Sequence, residues 1–140
     1  MQQSLFDFRT NDSPTGFRLH TLELYNWGTF NDRVWRSEPH GATALLTGEN
    51  GSGKSTLVDA LLTLLVPNAK RNYNQAASGR RERNEYTYLR GAYGRLQSDE
   101  GYTAQVQYLR DKNKYSVLLA HFHNDSYQQD VTLAQVFWLN

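Results

Sequence analysis

The sequence predicts an α/β fold in which one buried helix packs against an antiparallel β meander. Three observations carry this. Residues 42–47 (ATALLT) form a short apolar run ending at Gly48. Residues 52–66 (SGKSTLVDALLTLLV) are rich in helix formers. The last forty residues hold three strand-length segments separated by turn-like clusters.

Taken in order, residues 1–16 mix Gln, Asp, Asn, Ser and Pro without a sustained period and read as a mobile leader, with the folded lobe running from 17 to 140. Between Phe17 and Trp35, apolar and aromatic residues flank the turn formers Gly28, Asn31 and Asp32, as in two antiparallel strands. The cluster Pro39, His40, Gly41 breaks that pattern. Residues 42–47 then read as a strand buried on both faces. The helix over 52–66 is apolar around most of its circumference, leaving Asp59 and Thr63 as a polar pair four residues apart, and Pro67 and Asn68 stop it. Residues 68–101 are polar and basic, a long excursion with one short helix around 84–90. Strands are expected at 102–110, 114–123 and 130–139, and no internal repeat is visible.

At 140 residues the chain fits one domain with one core, and 13% aromatic content excludes a disordered chain. It has no cysteine, which removes disulfides and thiolate metal sites and points to the reducing cytoplasm. No run approaches the length of a membrane helix, and Asp7, Arg9, Asp12 and Arg18 interrupt any signal-peptide core, so a soluble protein that does not engage a membrane is expected.

The charge is uneven. Lys70, Arg71, Arg80, Arg81, Arg83, Arg90 and Arg95 stand against only Glu82 and Glu85 in one stretch of a chain whose formal net charge is +1. Tyr73, Tyr86, Tyr88 and Tyr93 are interleaved. Distributed cations of this kind can contact the backbone of double-stranded DNA, and Arg80, Arg81 and Arg83 are the candidates; a solvated loop with structural arginines is the plainer alternative. His121 and His123 share one face of a strand, which is the beginning of a metal site but equally an ordinary half-exposed face.

The chemistry is concentrated in residues 48–55, GENGSGKS, a complete P-loop. A triphosphate needs many donors converging on closely spaced oxygens without bulky side chains in the way. Gly48, Gly51 and Gly53 let the backbone N–H groups of the loop, with Glu49, Asn50 and Ser52, turn inward as an anion nest. The helix that follows directs its dipole and free N–H groups at the same anion. Lys54 then reaches the β and γ phosphates, Ser55 ligates Mg2+, and Thr56 lies near the α phosphate. ATP with Mg2+ is the expected ligand. Hydrolysis further requires an acid at the end of a buried strand and a group to activate water. None of the later acids follows a run of four aliphatic residues, so no catalytic residue is assigned. The chain is expected to bind ATP without hydrolysing it, its catalytic half lying on another chain or in a longer polypeptide.

The segments LHTLELYNWGTFND, ALLTGENGSGKSTLVDALLTLLVP, RNYNQAASG and YLRGAYG together resemble the N-terminal head segment of SMC-like ATPases of the MukB and MksB branch, with particular likeness to the SMC subunit of the Wadjet anti-plasmid system. The resemblance covers residues 17–140. It implies the N-terminal lobe of an ABC/SMC-type P-loop NTPase head, separated by a coiled coil and hinge from a C-terminal half that carries the signature and Walker B motifs. It also implies a second head in an ATP-sandwiched dimer, kleisin-type and accessory subunits, and action on DNA in loop extrusion or plasmid defence. Related heads carry an arginine after the P-loop helix that approaches the phosphates, matched here by Arg71. A Q-loop glutamine serving nucleotide and Mg2+ is matched by Gln135, with Gln105 and Gln107 as weaker matches. Asn26, Trp27, Gly28 and Thr29 stand where many such heads touch adenine or ribose, with a core role for Trp27 as an equal alternative. The alternatives are a RecN- or RecF-like DNA repair ATPase, and a non-hydrolysing module whose nucleotide controls assembly.

Overall fold

The computed structural model describes residues 15–73, 83–96 and 105–139. The expected leader falls almost entirely outside these residues, as do Arg80 and Arg81.

A four-stranded antiparallel sheet organises the fold. Strand β1 (Arg18–Trp27) pairs on one side with β2 (Phe30–Ser37) and on the other with β5 (Tyr115–Asn124), which pairs in turn with β6 (Gln129–Trp138); the order is β2-β1-β5-β6. Alternation sets the faces. Leu22, Leu24, Leu118 and Ala120 point inward and are buried, whereas Glu23, Tyr25, Val117 and Leu119 belong to the other face. Helix α1 (Lys54–Leu65) lies on the inner face, where Ala60 and Leu64 complete the core with Trp27, Tyr88 and Leu89. Helix α2 (Glu85–Arg90) lies within the basic stretch. Asn84 caps it through its side chain, Thr87 returns the bond to complete a capping box, and Gly91 ends it. A separate hairpin pairs β3 (Ala92–Leu96) with β4 (Gln105–Tyr108).

Most expected elements are present: the first two strands, the helix, the short helix and the last two strands lie where patterning puts them. The expected strand at 102–110 is represented by β4, and β3 was hidden inside the excursion.

Residues 42–47 depart from expectation. They run without strand pairing among the described residues, and Leu45 and Leu46 are 87% and 46% exposed. A strand exists only through neighbours on its edges, and none of the described strands reaches this run. The same side of the molecule leaves Val58 and Leu65 of α1 exposed, and a cleft between β1 and α1 is lined by Leu19, Leu22, Leu45, Leu46, Leu57 and Leu61. The polar pair of α1 points the other way: Asp59 and Thr63 are buried at 2% and 0% exposure.

Candidate functional site: a P-loop at the start of α1

Gly51 and Gly53 have φ of +85° and +94°, a region open to glycine and costly for other residues, and they turn the chain sharply into α1. The Ser52 N–H donates to the Glu49 carbonyl (3.2 Å) and the Leu57 N–H to the Gly53 carbonyl (2.9 Å), closing the loop onto the helix. Phe30 of β2 packs beneath it so closely that a Cβ on Gly53 would lie 2.9 Å from the ring.

The helix start suits an anion. Gly53 is the N-cap, no side chain caps the helix, and no acid stands in its first turn. The first N–H groups of a helix have no intrahelical acceptor, so an anionic ligand can supply what the protein does not. The Lys54 ammonium donates to the carbonyls of Gly48 (2.6 Å) and Glu49 (2.7 Å), which holds it alongside the loop. Ser55 occupies the first turn with Lys54. Thr56 packs against Gly28 in the β1–β2 turn. These residues fit a phosphate-bearing ligand with its metal ion; Lys54 would supply charge and Ser55 a hydroxyl oxygen.

The remaining sequence candidates are distributed differently. Arg71 lies beyond the C-terminal end of α1, one helix length from Lys54. Its Nε donates to the Val66 carbonyl (2.7 Å) and its Nη1 pairs with Glu85 (2.8 Å), with only 8% of the side chain exposed. Its guanidinium is thus committed to joining α1 to α2. Gln135 sits on the inner face of β6 opposite Leu118, and its Oε1 is buried without a hydrogen bond among the described residues. Gln105 and Gln107 belong to the separate hairpin.

The basic stretch is partly absorbed into the fold. Arg83 approaches Asp59 of α1 (3.8 Å), and Arg90 donates to the Arg110 carbonyl (2.7 Å) while lying over the Tyr108 ring. Tyr88 is buried, stacked on Trp27 with ring centroids 4.8 Å apart. Trp27 is likewise a core residue with no exposure. His121 and His123 face β6, bonding Thr132 and Asp130 at 3.2 and 2.8 Å, and the His20 ring packs beside them. Among the described residues no three His, Asp or Glu side chains are placed to hold a metal ion.

Sequence reasoning missed Arg110. It is 3% exposed, and its guanidinium donates to the carbonyls of Leu89 (2.8 Å), Tyr88 (2.7 Å) and Gly28 (2.9 Å) and to Asn31 Oδ1 (2.9 Å). It therefore fastens the end of α2 to the β1–β2 turn that supports the P-loop. Burial pulls its pKa down to about 10, against an opposing pull from Asp32. A lone arginine after a strand carries no pattern that could have announced this.

The fold and loop define a P-loop nucleotide-binding region, and comparison with known proteins agrees. Residues 19–80 match the model for the P-loop containing region of AAA domain. The chain is 33% identical over 91 residues to the chromosome partition protein MukB from two strains of Vibrio vulnificus, YJ016 and CMCP6, covering 62% of this chain. It is also 33% identical over 60 residues, 40% of its length, to an uncharacterized protein of Methanocaldococcus jannaschii. The matched regions amount to 6% of the MukB chains and 11% of the archaeal protein. These similarities support an SMC-like, ATP-binding region. Among the described residues no helix is long and apolar enough to cross a membrane.

Proposed function

We propose that this chain is the N-terminal ATP-binding lobe of an SMC-type ATPase head, completed by a C-terminal half that supplies the signature motif and the acids of hydrolysis. The observation that carries this reading is the exposed apolar run at 42–47. It leads directly into the P-loop and lies beside the exposed Val58 and Leu65 of α1, so the nucleotide loop stands at the edge of an unfinished core. Exposed apolar surface of this kind invites a further layer. Strands added beside 42–47 would bury it and bring acidic residues towards Ser55.

In this reading ATP and Mg2+ bind at 48–56, and a second head closes over the nucleotide. Kleisin-type and accessory subunits would join the assembly, and the substrate is double-stranded DNA. Loop extrusion or plasmid defence follows from the resemblance to the Wadjet SMC subunit.

The test is to measure Mg-ATP binding and turnover by the chain alone, then with the C-terminal half expressed beside it. Binding without turnover, followed by turnover on completion and its loss in Lys54→Ala, is expected. Turnover by the purified chain alone, abolished by Lys54→Ala, would overturn the division of labour. Binding with no turnover even in the completed head would favour the non-hydrolysing assembly module, and a completing half without a long coiled coil would favour a RecF-like repair ATPase.

A further inference from the structure

Helix α1 carries a carboxylate in the core, four residues after Ser55. Asp59 is 2% exposed, the Tyr88 phenol donates to its Oδ2 in a short hydrogen bond, and the Arg83 guanidinium stands 3.8 Å away. A buried carboxylate is costly unless it is paired and hydrogen-bonded, so its partners hold it firmly in place. Burial, and then Asp59 itself, push the Tyr88 phenol far above its ordinary pKa, so it remains a donor.

Tyr88 is linked to α1 a second time, indirectly, through Gly28. Its carbonyl accepts from the Gly28 N–H (2.8 Å) and from Arg110 (2.7 Å), its ring stacks on Trp27, and Gly28 abuts the Thr56 side chain. Thr56 and Asp59 are three residues apart on α1 and lie on one side of it. Tyr88 therefore bears on two adjacent turns of the helix, directly at Asp59 and through Gly28 at Thr56.

We propose that Tyr88 is a positioning residue for the nucleotide site, setting through Asp59 and Gly28 where the first turn of α1 presents Lys54 and Ser55. The inference rests on the P-loop binding Mg-ATP. It differs from a general stabilising role because α1 offers an internal comparison: Tyr73 also bonds the helix through its phenol, at Thr63 Oγ1 (3.1 Å), one turn further from the loop.

The experiment compares Tyr88→Phe with Tyr73→Phe by thermal melting and by calorimetric titration with Mg-ATP. Both variants lose one phenol hydrogen bond to α1 and both melt earlier. Only Tyr88→Phe weakens Mg-ATP, by about tenfold. Asp59→Asn, which keeps an acceptor oxygen for the phenol, is expected to stay within about threefold of wild type. It also tests the idea if Tyr88→Phe fails to fold, since a tenfold loss in Asp59→Asn would shift the role from hydrogen bond to charge and overturn the assignment. Wild-type affinity in Tyr88→Phe, or equal losses in the two tyrosine variants, would overturn it as well. Failure of the wild-type chain to bind Mg-ATP would sink the nucleotide reading itself, and this inference with it.

Discussion

Gly28 and Thr56 meet with no room between them: a Cβ built on Gly28 would lie 2.5 Å from the Thr56 methyl, and Gly28 has φ of +56°. The contact joins the β1–β2 turn to the residue after Ser55. Alanine at 28 faces both a left-handed backbone and a side chain that must move. Gly28→Ala is expected to cost about 2 kcal/mol or more in a urea titration. Because the displaced group is on the first turn of α1, Mg-ATP affinity is expected to fall in the same variant. Wild-type stability and affinity together would show that the turn shifts freely.

Lys54→Ala tests the phosphate site directly. The ammonium lies against the Gly48 and Glu49 carbonyls, outside the core, so its loss is expected to change stability by no more than about 0.5 kcal/mol. Mg-ATP affinity is expected to fall at least about tenfold, since a charge-assisted contact to phosphate is lost. Calorimetry showing unchanged affinity would remove the assignment.

What the sequence made legible is the local part of this site. The glycines of 48–53, the helix after them and the pairing of the first two strands are all written in spacings of a few residues. What it hid depends on distant partners. Residues 42–47 read as a buried strand because their composition suits one, but composition does not say where neighbouring strands come from. Asp59 and Thr63 read as a polar pair, yet face inward because Tyr88 and Tyr73 bring phenols to them from outside α1. Arg71, matched by resemblance to a phosphate contact, finds Glu85 and the Val66 carbonyl.

Arg110 is expected to be the most sensitive cation in the fold. Replacement by Met leaves the carbonyls of Gly28, Tyr88 and Leu89 without this donor while relieving the cost of a buried charge. Arg110→Met is expected to destabilise by about 2–4 kcal/mol in chemical denaturation, and Arg110→Lys, which cannot span the same acceptors, by a comparable amount. Full stability of the lysine variant would show that charge alone suffices.

Asp130 provides a pH test on the opposite face. The hydrogen bond from His123 holds its carboxyl below the usual range, helped by the charges of His123, His121 and His20 and opposed by desolvation. A carboxylate whose pKa is lower in the folded state stabilises the fold above its unfolded pKa, and the contribution disappears as pH falls through the folded value. NMR titration is expected to find the Asp130 pKa below that of an ordinary aspartate and to return it towards the ordinary value in His123→Asn. An Asp130 titration unchanged by His123→Asn would exclude the pairing.

Of the three arginines that the sequence offers for DNA contact, Arg83 is tied to the fold. Arg83 stands beside buried Asp59, and reversing its charge would disturb α1 as well as any bound phosphate. The informative variant is therefore Arg80→Glu with Arg81→Glu, leaving Arg83 intact. If these residues contact the backbone of duplex DNA, the pair of changes weakens unrelated sequences equally and lowers the slope of log affinity against log salt by about 2, since two fewer cations release counterions. Fluorescence anisotropy across a salt series, in the completed head, measures both quantities. Unchanged affinity and slope would leave this stretch a solvated loop, and a loss confined to one duplex would indicate base reading, for which the stretch has no recognisable motif.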